Sequence, residues 1–159
     1  MSIRLRVAAA LLAGLGTAAA APALAQDPGA APNYGAINLS AGFEPDPRVI
    51  SLRAGGDIAA SRISAGCAGF ITNAPDVRVN YEAGGLPLIL SVDSAVDTTL
   101  VVNAPDGSWR CDDDGGVNGS NPALRFNAPS SGQYDIWIGT YQSGAARPAR
   151  LHVSEVSSR

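Results

Sequence analysis

The fold of this chain is indicated by one stretch, DTTLVVNAPDGSWRCDDDGG at residues 97–116, followed by NPALRF at 121–126 and APSSGQYDIWIGTY at 128–141. Each run of apolar residues ends at a turn containing Gly, Pro, Asn or Asp, which is typical of short strands joined by tight turns. In the turn around Pro105 and Gly107, proline fixes one backbone angle and glycine accepts a positive φ. We therefore expect a hairpin between residues 99–102 and 108–111.

The same alternation continues on both sides of this stretch, and no apolar stripe of helical length occurs after residue 25. Because alternate side chains of a strand point to opposite faces, one set in each run is predicted to face a core. This pattern predicts an all-β fold, an antiparallel β-sandwich of about seven to eight strands, over residues 48–157. The predicted core residues are Val77, Val79, Tyr81, Leu88, Leu90, Val92, Leu100, Val102, Leu124, Phe126, Tyr134, Ile136, Ile138, Leu151 and Val153.

Two segments precede this domain. Residues 1–25 have the pattern of a secretory signal peptide, because Arg4 and Arg6 precede an apolar run and ALA at 23–25 forms a small-x-small cleavage site. Residues 26–47 are rich in proline and glycine, which predicts an extended, partly mobile leader. We expect the mature protein in the periplasm or the medium, without a membrane span.

Charge and cysteine content limit the possible partners and chemistry. Without Arg4 and Arg6, nine basic residues stand against 14 acidic ones, a formal charge of about −5, so nucleic acid is not expected as a partner. An exported chain with two cysteines, Cys67 and Cys111, is expected to form one disulfide, worth about 4 kcal/mol in the chain-entropy model. A pair of metal-binding thiolates is the alternative, but the chain has a single histidine.

Several short motifs occur in a fixed order: GCAGF at 66–70, Pro75-Asp76, DTTL at 97–100, PDG at 105–107, DDDG at 112–115, APSSGQY at 128–134, Ile136 and Ile138. Their order resembles the bacterial pre-peptidase C-terminal domain family over roughly residues 52–153. The resemblance implies a jelly-roll-like β-sandwich that serves secreted peptidases as an accessory module, and more closely a small stand-alone exported member. Some relatives bind calcium, and some bind an extended protein substrate. Because no catalytic domain is attached, we expect a non-catalytic module for binding or stabilisation, with an unidentified protein or polysaccharide ligand.

The acidic turn is a candidate calcium site. Calcium prefers six to eight oxygen ligands from carboxylates, amides and carbonyl groups, and this stretch is rich in them. The alternative is a solvated acidic turn without a metal. The candidate ligands of Ca²⁺ are Asp97, Asp106, Asp112, Asp113, Asp114 and Asn118.

Three aromatic residues form a second candidate site. Trp137 and Tyr141 should lie on the face of their strand opposite Ile136 and Ile138. If that face is open, Trp137, Tyr141 and Trp109 could form a platform for a sugar ring or an extended peptide. The alternative is that the leader or a neighbouring loop covers this face.

Catalytic residues are not expected. His152 should point outward from the last strand beside Arg150 and Ser154, and no G-x-S-x-G elbow occurs. Adjacent carboxylates at residues 112–114 cannot flank a glycosidic bond from opposite sides. The competing hypotheses are a small secreted hydrolase or peptidase acting through His152 and Ser154, and a carbohydrate-binding module.

Overall fold

The computed structural model describes residues 26–159, and the predicted signal peptide at residues 1–25 lies outside them. The described chain is all-β, with two packed sheets and a single turn of 3₁₀-helix at Ala60–Arg62. The predicted β-sandwich is therefore confirmed. The first sheet comprises β1 (Ala36–Ser40), β3 (Ile58–Ala59), β4 (Phe70–Ile71), β5 (Val77–Glu82), β7 (Thr98–Asn103), β8 (Trp109–Asp112) and β10 (Gly132–Thr140); the second comprises β2 (Arg48–Ala54), β6 (Leu88–Ser94), β9 (Ala123–Phe126) and β11 (Arg147–Ser154).

The long strand β10 is the centre of the seven-stranded sheet. One of its edges pairs antiparallel with β5 and, at Thr140, with β4; its other edge pairs with β7. Strand β8 returns beside β7 through the predicted turn, and β3 pairs with β4. In the four-stranded sheet the order is β2-β11-β6-β9, with every pair antiparallel.

The main core lies between the two sheets and consists of the inward-facing residues that the alternation predicts. Every predicted core residue belongs to it, Leu124 as a partly buried member. Buried Tyr134 packs edge-on against Phe126, with ring centroids 5.3 Å apart, and its hydroxyl donates to the carbonyl of Ser130 at 2.9 Å. This bond satisfies the buried phenol and holds the turn before β10 against the core.

A second, smaller core covers the outer face of the seven-stranded sheet. Residues 60–69, which connect β3 to β4, lie over this face, and the predicted Cys67–Cys111 disulfide joins them to β8. The covering segment thus has a covalent attachment to the sheet that it shields. Its buried members are Ala60, Cys67, Ile71, Val101 and Trp137, with Ile63, Trp109 and Cys111 packed against them.

The sandwich begins earlier than the sequence predicts. Residues 36–40 of the predicted leader form β1, which pairs in parallel with β5 and covers its outer edge. The segment before β1 is also held, because Arg78 donates to the carbonyl oxygens of Pro28 at 2.5 Å and Ala30 at 3.0 Å. Much of the leader is therefore part of the folded domain, and the strands exceed the predicted seven to eight.

Candidate functional site

The six predicted calcium ligands do not converge on one point. Asp97 and Asp106 lie at opposite ends of β7, which is six residues long, or about 20 Å at 3.3 Å per residue. Asp113 and Asp114 lie near Asp97. Burial is the main cause of the raised pKa of Asp97, and the negative charges of Asp114 and then Asp113 raise this pKa further. Of the six predicted ligands, Asp113 and Asp114 thus lie within electrostatic range of Asp97.

Two other predicted ligands have structural contacts of their own. The Oδ2 atom of Asp112 accepts the backbone N–H groups of Gly115 at 2.7 Å and Ala123 at 2.8 Å. The carbonyl of Asn118 accepts the N–H of Asn121 at 2.8 Å. Both residues therefore shape the loop between β8 and β9. Within residues 26–159, no group of three or more His, Cys, Asp or Glu side chains is arranged to hold a metal ion.

The aromatic platform is not formed, because Trp137 is fully buried. Its ring packs in the second core, 5.2 Å from that of Trp109, and its Nε1–H group donates to the carbonyl of Asn73 at 3.3 Å. Tyr141, just beyond β10, is 47% exposed. Trp137 lies on the predicted face of β10, opposite Ile136 and Ile138. A neighbouring segment covers this face, which is the alternative to an open platform.

His152 lies on the outer face of the four-stranded sheet, where its cross-strand neighbours are Val49 on β2 and Ser91 on β6. The side chain faces outward as predicted, yet the residue is only 7% exposed. Neither ring nitrogen has a hydrogen-bond partner among the described residues. Burial lowers the pKa of His152 below its usual value, which favours the neutral ring at pH 7.

A groove of about 460 Å³ opens beside this ring, between β2, β11 and the end of the chain. Two hydrogen bonds of the Arg159 main chain hold this segment over the sheet: its N–H donates to Ser91 Oγ at 2.9 Å, and its backbone oxygen accepts the N–H of Val117 at 3.3 Å. Residues distant in sequence therefore line one groove: Val49, Asp93, Val117, Arg150, His152 and Arg159.

The charged side chains in this groove differ in whether they form ion pairs. Arg150 forms an ion pair with Asp93, with Nε 3.1 Å from Oδ2 and a second, closer contact through Nη2. Arg159 has no ion-pair partner in the described part of the chain. Asp93 opposes the lowering of the His152 pKa, whereas Arg150 and Arg159 add to it, so all three charges act on the ring.

Ser154 does not pair with His152. Its Oγ atom is fully buried and accepts the N–H groups of Val156 and Ser157, each at 3.0 Å. The hydroxyl therefore caps the turn after β11. The histidine and serine of the hydrolase hypothesis share a strand face, but no hydrogen bond joins them.

No protein-family model matches the chain, and no curated protein sequence matches it. Among solved structures, it is similar to Aeromonas hydrophila PliG, a periplasmic lysozyme inhibitor of g-type lysozyme, at 16% identity and a TM-score of 0.36. The match covers 75% of this chain and 96% of that one. In residues 26–159, no helix is long and apolar enough to cross a membrane.

Sequence reasoning missed Asp93, Ser91 and Arg159 as parts of a site. The alternation places Asp93 and Ser91 outward on β6, but the pairing register of β6 with β11 is needed to bring them beside His152. Arg159 follows the last strand, and its position depends on the loop containing Val117. The one available signal was the outward-facing histidine between two apolar residues of a strand.

Proposed function

We propose that this chain is an exported, non-catalytic β-sandwich module that binds a partner or stabilises a secreted protein, as its resemblance to the pre-peptidase C-terminal domain family implies. The observation that carries the proposal is the arrangement of His152 and Ser154. A serine hydrolase needs a nucleophile hydrogen-bonded to its general base. Here the Ser154 hydroxyl accepts two backbone N–H groups, and the buried imidazole has no bond to it.

Export is supported by the cysteine chemistry. Disulfides persist in oxidising compartments and are rare in the cytosol, and Cys67 and Cys111 are bonded to each other. The disulfide attaches the covering segment to β8, and this segment shields the second core from solvent. This arrangement suits a small module that must remain folded in the periplasm or the medium.

Calcium binding is a further part of the proposal, with a smaller set of ligands than the sequence predicts. Asp97, Asp113 and Asp114 are close enough for their charges to interact. A bound Ca²⁺ would remove that repulsion and would complete its coordination with carbonyl groups and water. Asp106 is not part of this set.

Activity assays and cell fractionation test the proposal. We expect purified residues 26–159 to hydrolyse neither casein nor ester substrates. Activity that is lost in His152→Ala and Ser154→Ala, but kept in the surface variant Arg62→Ala, would establish a hydrolase instead.

The full chain, expressed with residues 1–25, is expected in the periplasm or the medium with Gln26 at its N-terminus. Mass spectrometry of the fractionated protein provides this measurement. Recovery of the protein only in the cytoplasm, with residues 1–25 still attached, would contradict the export proposal.

A further inference from the structure

We propose that Gln26 is a modification site. After removal of residues 1–25, its α-amine closes onto its own side-chain amide and gives an N-terminal pyroglutamate, which the folded domain buries. This inference rests on the proposed export and deepens it, because it states the chemical form in which the mature N-terminus packs on the sandwich. Neither the acidic turn nor the groove beside His152 takes part.

The first support is the burial of the Gln26 side chain. The residue is only 2% exposed, and neither its Oε1 nor its Nε2 atom has a hydrogen-bond partner in the described part of the chain. Buried side-chain amides are normally hydrogen-bonded, and an unsatisfied buried polar group destabilises the folded state. A primary amide carries two N–H donors and an acceptor oxygen. The folded domain therefore disfavours an open glutamine side chain at this position.

The second support is the attachment of the segment that follows Gln26. The backbone N–H of Asp27 donates to the carbonyl of Asn73 at 3.1 Å, and the N–H of Asn33 donates to the carbonyl of Pro75 at 2.8 Å. These bonds hold the start of the leader along the loop between β4 and β5. Gln26 adjoins the first of these anchored residues, so its burial belongs to the packing of the domain.

The third support is the charge that cleavage creates. Removal of residues 1–25 gives Gln26 a free α-amine, whose usual pKa of about 8 leaves it mostly protonated at pH 7. Burial of an unpaired ammonium costs far more than burial of a neutral group. Pyroglutamate removes this charge together with the primary amide, and it keeps one N–H and one carbonyl. The neutral lactam therefore suits the buried position better than an open N-terminal glutamine.

The reaction needs only the atoms of Gln26. The neutral α-amine nitrogen attacks the side-chain carbon Cδ, so that a C–N bond forms and the Cδ–Nε2 bond breaks. Nε2 leaves as ammonia with a proton from the amine. Both reacting groups belong to one residue, and this proximity favours closure of the five-membered ring. Closure takes place on the unfolded chain after cleavage, and folding then buries the lactam.

Mass spectrometry of the exported protein tests the modification. The full chain is expressed with residues 1–25, and protein from the periplasm or the medium is measured intact and as proteolytic peptides. We expect the mass of disulfide-bonded residues 26–159 less one ammonia, with the loss located at Gln26 by fragmentation. Exported protein that begins with an unmodified Gln26, or at another residue, would overturn the inference.

Gln26→Ala is the matched control, because it keeps the cleavage-site residues 23–25 and has no side-chain amide to close. We expect this variant to show no loss of ammonia. Asn118-Gly119 is a second place where ammonia could be lost, through a succinimide, and that loss would persist in Gln26→Ala. An equal loss in both proteins would overturn the assignment to Gln26.

Pyroglutamyl aminopeptidase, which removes an N-terminal pyroglutamate, tests the burial. The control substrate is a synthetic peptide of residues 26–34 that begins with pyroglutamate. We expect release from the folded protein to be at least about tenfold slower than from the peptide, because the buried N-terminus must first open. Equal rates for the protein and the peptide would overturn the burial of the lactam.

Failure of this inference is distinguishable from failure of the proposed function. Exported protein with an open Gln26 and no hydrolase activity would leave the non-catalytic module in place and remove only the modification. Protein found only in the cytoplasm, with residues 1–25 attached, would overturn the export proposal and this inference together.

Discussion

The backbone N–H of Ile138 donates to the carboxylate of Asp76 at 2.7 Å, at a position where Asp76 is only 1% exposed. The side-chain amide of Asn33 donates to the other carboxylate oxygen at 3.2 Å. Burial has the largest effect and raises the pKa of Asp76 to about 6, although both hydrogen bonds lower it. A central strand and the leader therefore meet at a carboxyl group that titrates near neutral pH.

The free energy of unfolding should depend on pH through Asp76. Between the usual pKa of 3.8 and the folded value of about 6, the native state holds a proton that the unfolded state has released. The stability from this group is therefore fully present below pH 3.8 and is lost as the pH rises through about 6. The gap between the two values corresponds to about 3 kcal/mol.

The matched variant is Asp76→Asn, whose amide oxygen can still accept the N–H of Ile138. We expect the stability of the variant relative to the wild type to rise by about 2–3 kcal/mol between about pH 4 and pH 7.5. Urea unfolding of both proteins measures this difference. The comparison cancels the opposite effect of His152, whose lowered pKa reduces stability as the pH falls. A difference that is constant with pH would contradict the assignment.

Alanine substitutions at Trp137 and Tyr141 should differ strongly in their effect on the free energy of unfolding. Trp137→Ala opens a cavity in the second core and should cost about 3–5 kcal/mol. Tyr141→Ala removes an exposed side chain and should change stability by no more than about 0.5 kcal/mol. Denaturation followed by circular dichroism compares the two variants. Similar costs would mean that the covering segment does not bury Trp137 in solution.

Calcium, if bound, should raise the melting temperature through Asp114 and not through Asp106. At 100 times the dissociation constant, a ligand specific to the native state adds about 2.7 kcal/mol. We expect Asp114→Asn to abolish this gain and Asp106→Asn to retain it. Asp112→Ala is unsuitable, because the Asp112 carboxylate accepts the N–H groups of Gly115 and Ala123.

Melting curves with Ca²⁺ and with EDTA make this measurement. No difference between the two in the wild type would exclude calcium binding. Asp114→Asn should also stabilise the metal-free protein slightly, because it relieves the repulsion that raises the Asp97 pKa.

Arg78 should hold the leader to the sandwich. Its Nε atom lies 2.7 Å from Asp135 Oδ1, and the Asp135 side chain is only 2% exposed. Arg78→Met leaves that buried carboxylate without its ion-pair partner and with only the Gln133 amide as a side-chain donor, which should cost about 3–5 kcal/mol. The double variant Arg78→Met, Asp135→Asn should recover most of this loss, as measured by urea unfolding.

The same variants can be tested by limited proteolysis. Arg78→Met also removes the donors to the carbonyl groups of Pro28 and Ala30, so cleavage before β1 should be faster. The double variant lacks these donors too and should be cleaved as readily, despite its recovered stability. A leader that stays equally resistant in both would show that other contacts hold it.

The main core could be predicted because strand alternation is a property of each segment by itself. Tyr134, Ile136 and Ile138 face the core whatever strands lie beside them. The burial of Trp137 could not be predicted in this way, because it depends on residues 58–71. That segment contains only two-residue strands and carries no alternating pattern.

The positions of the candidate sites depend on contacts between distant residues. Asp97 and Asp106 are near in sequence, yet an extended strand separates them. His152 and Asp93 are far apart in sequence, and the register of β6 with β11 brings them to one groove. Strand β1 was missed because residues 36–40 are short, flanked by glycine, and paired in parallel with a strand about 40 residues later.

The central place of β10 has a consequence for the order in which the chain can assemble. Strand β10 is the only described strand that pairs with β5, β7 and β4 together. In the other sheet, β11 is the strand that joins β2 to β6. A ribosome must therefore release almost the whole chain before either sheet can close, and closure requires contacts between distant residues, which form slowly. The folded sandwich therefore forms after residues 132–154 have been synthesised, and not strand by strand as the chain emerges.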